Sequence, residues 1–404
     1  MKKTEIIPEE DRTLLQCINA VLEIGNENDA AGKDVLPFVS ERIVDLAEKH
    51  QVLSVLYPLT RLPDMQESCR DRIVISARTC TLQFYRLLLL TKYYCELLNR
   101  ADIPVLVLKG VSAASYYPVP EYRKSGDVDL LLLRPGDMDR AVQILLQNGT
   151  VRSSDQHANH HVAFRSPDGI EMELHTSAVE NVFPGRSVPM LKKAEEQMRQ
   201  ERTEKEILGI RLPVLRDGAM AFQLLLHMLQ HYLGSGFGLR LLLDWAVLWN
   251  GDIPDEEIEK YRGYIEQCGL SRFSDLVTET AVRCLGLEQT KGQQIIFRDT
   301  EQELLQDFMQ EVFESGEFGR EDSSRIVMVE GGGLPDYLAE FHRQMHRNYP
   351  KAGRWPVIWP VLWVCTLVRF LVNNHNVRGT SVRSVLKSAR KRGKSIRSLH
   401  LFEI

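Results

Sequence analysis

Two short apolar runs, Val105-Leu106-Val107-Leu108 and Leu130-Leu131-Leu132-Leu133, interrupt long stretches in which apolar residues recur at helical spacing. Runs of four with no polar position are too short for a buried helix and read as strands covered on both faces. Asp102-Ile103-Pro104 precedes the first run, and proline disfavours helix at the residue before it, so a helix ends there and a strand begins. The chain must therefore hold a sheet between helices. Upstream, from about Asp11 to Arg100, Leu14, Leu15, Ile18, Val21 and Leu22, then Ile43, Val44 and Leu46, keep helical spacing. From Thr81 to Leu97 the pattern is apolar nearly all round, which predicts a helix buried between other elements.

After Lys109-Gly110 a short helix is expected through Ala113 and Tyr116, closed by Pro118 and Pro120. Behind the Pro135-Gly136 turn, 137–148 reads as an amphipathic helix with Ala141, Val142, Leu145 and Leu146 inward and Gly149 as its stop. Two more strands, 161–165 and 170–175, flank the turn Ser166-Pro167-Asp168-Gly169. From about Pro189 to Lys291, and on to Glu314, the spacing predicts helix, including 219–232 and 239–249; Gly331-Gly332-Gly333 then marks a break. The fold class is α+β, a small mixed sheet embedded in helices. The expected units are 1–100, helical; 101–188, the α/β core; 189–330, helical; and 331–404, a helical and basic end segment.

Composition narrows the function. Hydrophobic residues at 44% and charged residues at 26% exclude wholesale disorder and a multi-span membrane protein. Lys+Arg 50 against Asp+Glu 55, a net charge of -5, argues against a protein whose whole surface grips nucleic acid. The seven cysteines include no C-x-x-C pair, and no apolar core follows Lys2 and Lys3, so reduced thiols and a cytoplasmic location are expected.

The chemistry gathers at Arg123-Lys124-Ser125-Gly126-Asp127-Val128-Asp129-Leu130. On a strand Asp127 and Asp129 point the same way while Val128 and Leu130 point into the core. Two carboxylates at one strand edge repel unless a cation lies between them, and Mg²⁺ bridging to substrate phosphates is the usual solution. An isolated D-x-D is more often a solvated strand end. Here an apolar strand, a glycine turn and a short helix come immediately before it, a layout suited to metal-assisted phosphoryl chemistry.

That layout resembles the polymerase β-type nucleotidyltransferase superfamily. The fuller string, Leu108-Lys109-Gly110, Tyr117-Pro118, Arg123 and Gly126-Asp127-Val128-Asp129-Leu130, is most similar to an uncharacterised bacterial nucleotidyltransferase family related to abortive-infection toxin-type transferases. The likeness extends to Glu173-Leu174-His175, to His227-Met228-Leu229-Gln230-His231 and to Gly236-Phe237-Gly238-Leu239-Arg240 with Asp244, over roughly residues 80 to 260. The resemblance implies two Mg²⁺ ions on Asp127, Asp129 and Glu173, with a nucleoside triphosphate such as ATP as substrate. Glu171 shares the face of Glu173, but Glu173 fits the family motif better. Lys109, Gly110, Ser112, Arg123 and Ser125 would then meet the nucleotide, although the superfamily usually has Gly-Ser or Gly-Gly where this chain has Lys109-Gly110. Arg123 would either pair with the triphosphate or hold Asp127 in place. The acceptor hydroxyl, on RNA, protein, a sugar or a small molecule, is left open, as is the nucleobase.

His175, on the face of Glu173, and His231 and Arg240 are candidates for substrate contact; His160-His161 is a weaker one. His227 and His231 have the four-residue spacing of a zinc pair but lack the glutamate of H-E-x-x-H. Arg240 and Asp244, also four apart, suggest an intrahelical ion pair. At the end of the chain the apolar run 355–372 is broken by Pro356, Pro360 and Arg369, against a full membrane span. The basic tail with Arg378, Arg383, Lys387, Arg390, Lys391, Arg392, Lys394 and Arg397 would suit an anionic membrane surface or RNA backbone, or simply be solvated. A catalytically silent partner protein is the alternative from another class; a metal-dependent phosphohydrolase would use the acids without needing the turn before them.

Overall fold

The computed structural model describes residues 9–24, 39–153, 161–179, 183, 187–234, 236–316, 352–378 and 393–403, with 338, 341–342, 345–346 and 348–349 between. The Gly331–Gly333 break, His160 and the tail residues Arg383 to Arg392 lie outside them. Helices α1 (Glu9–Ile24) and α2 (Glu41–Lys49) lead to the long α3 (Glu67–Arg100). Strand β1 (Val105–Val107), the single-turn α4 (Val111–Ala114) and β2 (Asp127–Leu132) follow, then α5 (Met138–Gln147), β3 (Val151–Arg152), β4 (His161–Arg165) and β5 (Glu171–His175). Next come α6 (Val188–Met198), the hairpin β6 (Arg202–Ile207) and β7 (Ile210–Leu215), α7 (Asp217–Leu233) and α8 (Leu239–Asn250). Helices α9 (Asp255–Cys268), α10 (Ser271–Cys284), α11 (Gln289–Ile295), α12 (Gln302–Ser315) and α13 (Trp359–Arg378) follow.

One mixed sheet runs β3-β4-β5-β2-β1-β7-β6. Strands β1 and β2 are antiparallel, whereas β2 and β5 are parallel and pair Asp127 with Glu171 and Asp129 with Glu173. Alternation divides the interior into two clusters. Val105, Val107, Val128, Leu130, Leu132, Phe164, Met172 and Leu174 pack with Phe84, Leu87 and Leu98 of α3 and with Leu145 of α5. Leu106, Leu108 and Leu131, on the opposite face, join the large core of α1, α2 and α7 to α10. Asp127 and Asp129 have the parity of Leu131, so they face the helical side.

Three expectations change. The segment 202–215 is not helix but the edge hairpin of the sheet, turned by Leu208 and Gly209, both at positive φ (46° and 81°) as a two-residue turn between twisted strands requires. Its charged run Arg202 to Glu206 and Pro213 in β7 hide the strand pattern. Helix α3 is not buried all round: Phe84, Leu87 and Leu88 are inside, while Leu82 and Leu89 are 69% and 58% exposed. It is long and apolar enough to cross a membrane by length and composition, but one face of it is committed to the sheet. Leu146 on α5 also points outward. The cysteines are unpaired, six buried and Cys365 exposed.

Candidate active site

The parallel register between β2 and β5 places Asp129 directly beside Glu173 on one face. Glu171 starts β5 at the surface, where it pairs with Arg165 at 3.0 Å, which leaves Glu173 as the third inward acid. Lys109, immediately after β1, reaches across so that its Nζ lies 3.3 Å from Asp129 Oδ1. His175 Nε2 lies 3.1 Å from the same oxygen and 3.2 Å from Glu173 Oε2. His161 of β4, paired with His175 across the antiparallel ladder, adds its Nε2 at 3.8 Å from Glu173 Oε1. Asp129 Oδ2 is buried with no hydrogen-bond partner.

The charges explain one another. The negative charge of Asp129, followed by burial, pushes the Asp127 carboxyl up to about 6, against relief from Lys109. Burial acts to raise Asp129, but Lys109 and His175 outweigh it and hold that carboxyl below its ordinary value. Glu173 is similarly lowered: burial opposes ionisation, and the hydrogen bond from His175 overcomes it. Burial would favour a neutral His175, yet Asp129 and Glu173 lift the imidazole to about 9. Burial also works against the Lys109 ammonium, and Asp129, Asp127 and Glu173 more than offset it. The group thus has three acids gathered round one lysine, with an unserved carboxylate oxygen, and its donor set fits a divalent cation.

Residues 37–286 match the family described as uncharacterised nucleotidyltransferase. The chain belongs to this family. No curated protein matches the sequence. Among solved structures the chain is similar to an antigenic nucleotidyltransferase-like protein from Paracoccidioides brasiliensis, at 15% identity over 50% of this chain and 93% of that one, with a TM-score of 0.33. At that score the likeness says nothing about individual residues.

In this member of the family the other expected site residues have more varied surroundings. Gly110 takes φ 64° and ψ -114°, a conformation open to glycine, and its carbonyl accepts from Arg123 Nη1 at 3.2 Å. Arg123 itself neither holds Asp127 nor faces open space: it is 4% exposed and grips Asp244 of α8 with Nε to Oδ1 and Nη2 to Oδ2, both 2.7 Å. Asp244 is therefore not the partner of Arg240; its Oδ1 also accepts from Tyr117 at 2.7 Å. Arg240 donates instead to the Lys124 carbonyl at 3.3 Å. Ser125 Oγ accepts from Arg123 at 2.7 Å, and Ser112 is buried with its hydroxyl 4.0 Å from Met220 Sδ. These contacts tie Arg123 to the Gly110 carbonyl and to Ser125, and place the Ser112 hydroxyl against Met220.

His227 and His231 lie edge to face on α7, with ring centroids 4.6 Å apart. Burial first, then the charges of Lys109, His231, Arg240 and Arg123, hold His227 well below its ordinary value. Among the described residues, the group of His, Cys, Asp and Glu side chains close enough for a metal is not this pair but His161, Glu173 and His175. His161 was readable: the turn at 166–169 pairs Arg165 with Glu171, and counting outward four residues brings His161 to His175.

The turn yields a direct test. Gly110→Ala places a Cβ 3.4 Å from the Asp127 carbonyl, an ordinary contact, so the cost is backbone strain rather than collision. We expect a loss of about 1–3 kcal/mol in chemical denaturation. Asn at the same position is expected to recover little, because ψ lies outside the left-handed helical region.

Proposed function

We propose that this chain transfers a nucleoside monophosphate from a nucleoside triphosphate to an acceptor hydroxyl, releasing pyrophosphate. The observation that carries the reading is the in-register row of Asp127, Asp129 and Glu173 on one face of the sheet, beside a glycine turn and with one carboxylate oxygen unserved. Asp127, Asp129 and Glu173 would hold Mg²⁺, which when bound neutralises triphosphate charge. Gly110, lacking a side chain, lets phosphate approach the backbone, and Lys109 supplies a fixed positive charge at the same end of the sheet. Glu173, kept ionised by His175, accepts the proton of the acceptor hydroxyl. The acceptor oxygen bonds to the α-phosphorus, the bond from that phosphorus to the bridging oxygen breaks, and the electron pair leaves with pyrophosphate.

We further propose a cytoplasmic protein whose end segment makes a peripheral contact with an anionic membrane surface or RNA. Trp355, Val357, Val361 and Val364 are all at least 60% exposed, ahead of the basic tail. A second functional reading, a silent nucleotidyltransferase relative acting as a binding partner, is favoured by the Lys109–Asp129 ion pair, which already neutralises part of the acidic cluster.

Incubation of the purified chain with each of the four nucleoside triphosphates, labelled at the α-phosphorus, with Mg²⁺ and cell extract separates the two. Label entering a larger species with wild type, and not with Asp127→Asn plus Asp129→Asn, establishes transfer and reveals the acceptor. Absence of both label transfer and Mg²⁺-dependent nucleotide binding leaves the silent reading.

A further inference from the structure

The nitrogen donors on β4 and β5 are not used by a purely carboxylate-held Mg²⁺ site. We infer that His161, His175 and Glu173 hold a divalent transition-metal ion beside the nucleotide. The inference rests on the nucleotidyl-transfer reading for what the ion does there, and not for its binding.

Geometry supports the site first. Tetrahedral coordination at about 2.0–2.2 Å separates neighbouring ligand atoms by about 3.3–3.6 Å. Here His175 Nε2 is 3.1 Å from Asp129 Oδ1 and 3.2 Å from Glu173 Oε2, and His161 Nε2 is 3.8 Å from Glu173 Oε1. Both imidazoles present Nε2 to the same glutamate, and the three donor groups lie within 4.8 Å of one another. The pairing of the strands enforces this. His161 and His175 are opposite each other, Glu173 is two residues along on the same face, and its partner on β4 is the small Ala163.

Hydrogen bonding alone serves the cluster poorly. A single Nε2 proton on His175 faces two carboxylate oxygens at nearly equal distance and cannot be directed at both. Asp129 is 1% exposed, and its Oδ2 has no partner. A cation held by His161, Glu173 and His175 would remove the first shortfall. The donor chemistry then selects the ion: Mg²⁺ prefers oxygen ligands and water, whereas imidazole nitrogen suits Zn²⁺, Co²⁺, Ni²⁺ and their neighbours. Glu173 belongs to both donor sets, so such an ion would share that carboxylate with the Mg²⁺ site.

Cobalt(II) is a suitable probe because its visible spectrum reports coordination number. Full-length protein stripped with chelator and titrated with Co²⁺ is expected to bind one equivalent with the intense bands of a four- or five-coordinate ion. A hundredfold excess of Mg²⁺ should leave the bands in place, and Zn²⁺ should remove them. His161→Ala should weaken binding by at least about tenfold, the scale seen even when groups behind metal ligands are changed. His175→Gln gives an independent second variant, with circular dichroism reporting the fold of each. Asp127→Asn should keep the cobalt spectrum while losing nucleotide transfer, which separates this site from the transfer reading. A spectrum that stays that of hexaaquo cobalt, displacement by Mg²⁺ at comparable concentration, or undiminished affinity in folded His161→Ala and His175→Gln would overturn the inference.

Discussion

Asp127→Asn is expected to reduce nucleotide transfer about 1,000-fold or more while making the ligand-free protein more stable. Under the proposed function the loss follows from removing a charge that would hold the metal–triphosphate, where several kcal/mol of transition-state stabilisation are at stake and each 1.4 kcal/mol is about tenfold in rate. The gain follows from the same charge when no cation is bound. Asp129 and burial push the Asp127 carboxyl up to about 6, above its ordinary value of 3.8, so the folded protein binds a proton more tightly there than the unfolded chain does. The stability this contributes is full below about pH 4 and is lost as pH rises through about 6. At neutral pH the wild type carries the whole penalty, about 1–2 kcal/mol after allowance for solvent screening. Thermal melts of wild type and variant between about pH 4 and 8 should diverge over that window, with the variant higher at neutral pH. A variant that melts below wild type at pH 7 would show that Asp127 is already fully compensated.

The acids were legible because strand alternation depends only on neighbours in sequence. Asp127 and Asp129 share a face wherever a strand runs through Val128 and Leu130, and Glu173 with His175 does the same on β5. The turn Ser166 to Gly169 even determines which residue of β4 meets His175. What stayed hidden depends on contacts across the chain. Asp244 lies 121 residues from Arg123, and nothing local distinguishes it from a partner for Arg240 one turn earlier on the same helix. Similarly, the roles expected of Ser112 and Ser125 depended on which way a hydroxyl turns, and in the fold one meets Met220 and the other Arg123. The hairpin at 202–215 escaped notice because an edge strand can carry charge on both faces, which removes the alternation that announces a strand.

Arg123→Met is expected to cost about 3–5 kcal/mol, the largest stability effect of any single change near the turn. It leaves the Asp244 carboxylate 2% exposed with the Tyr117 hydroxyl as its remaining hydrogen-bond donor among the described residues. It also takes the donor from the Gly110 carbonyl and from Ser125 Oγ, so the turn and the residues just ahead of Asp127 lose their tie to α8. Asp244→Leu should cost a similar amount by stranding the buried guanidinium. Combining the two removes both charges, and the double variant should lose less than the sum of the singles by about 2 kcal/mol or more, as expected for a pair whose main cost lies in breaking one half. Denaturant unfolding of the four proteins measures this coupling; strict additivity would mean that the charges act separately. The kinetic signature differs from that of Asp127→Asn. Since Arg123 reaches the nucleotide turn through Gly110 and Ser125 rather than through the carboxylates, its loss should raise KM for the triphosphate more than it lowers kcat.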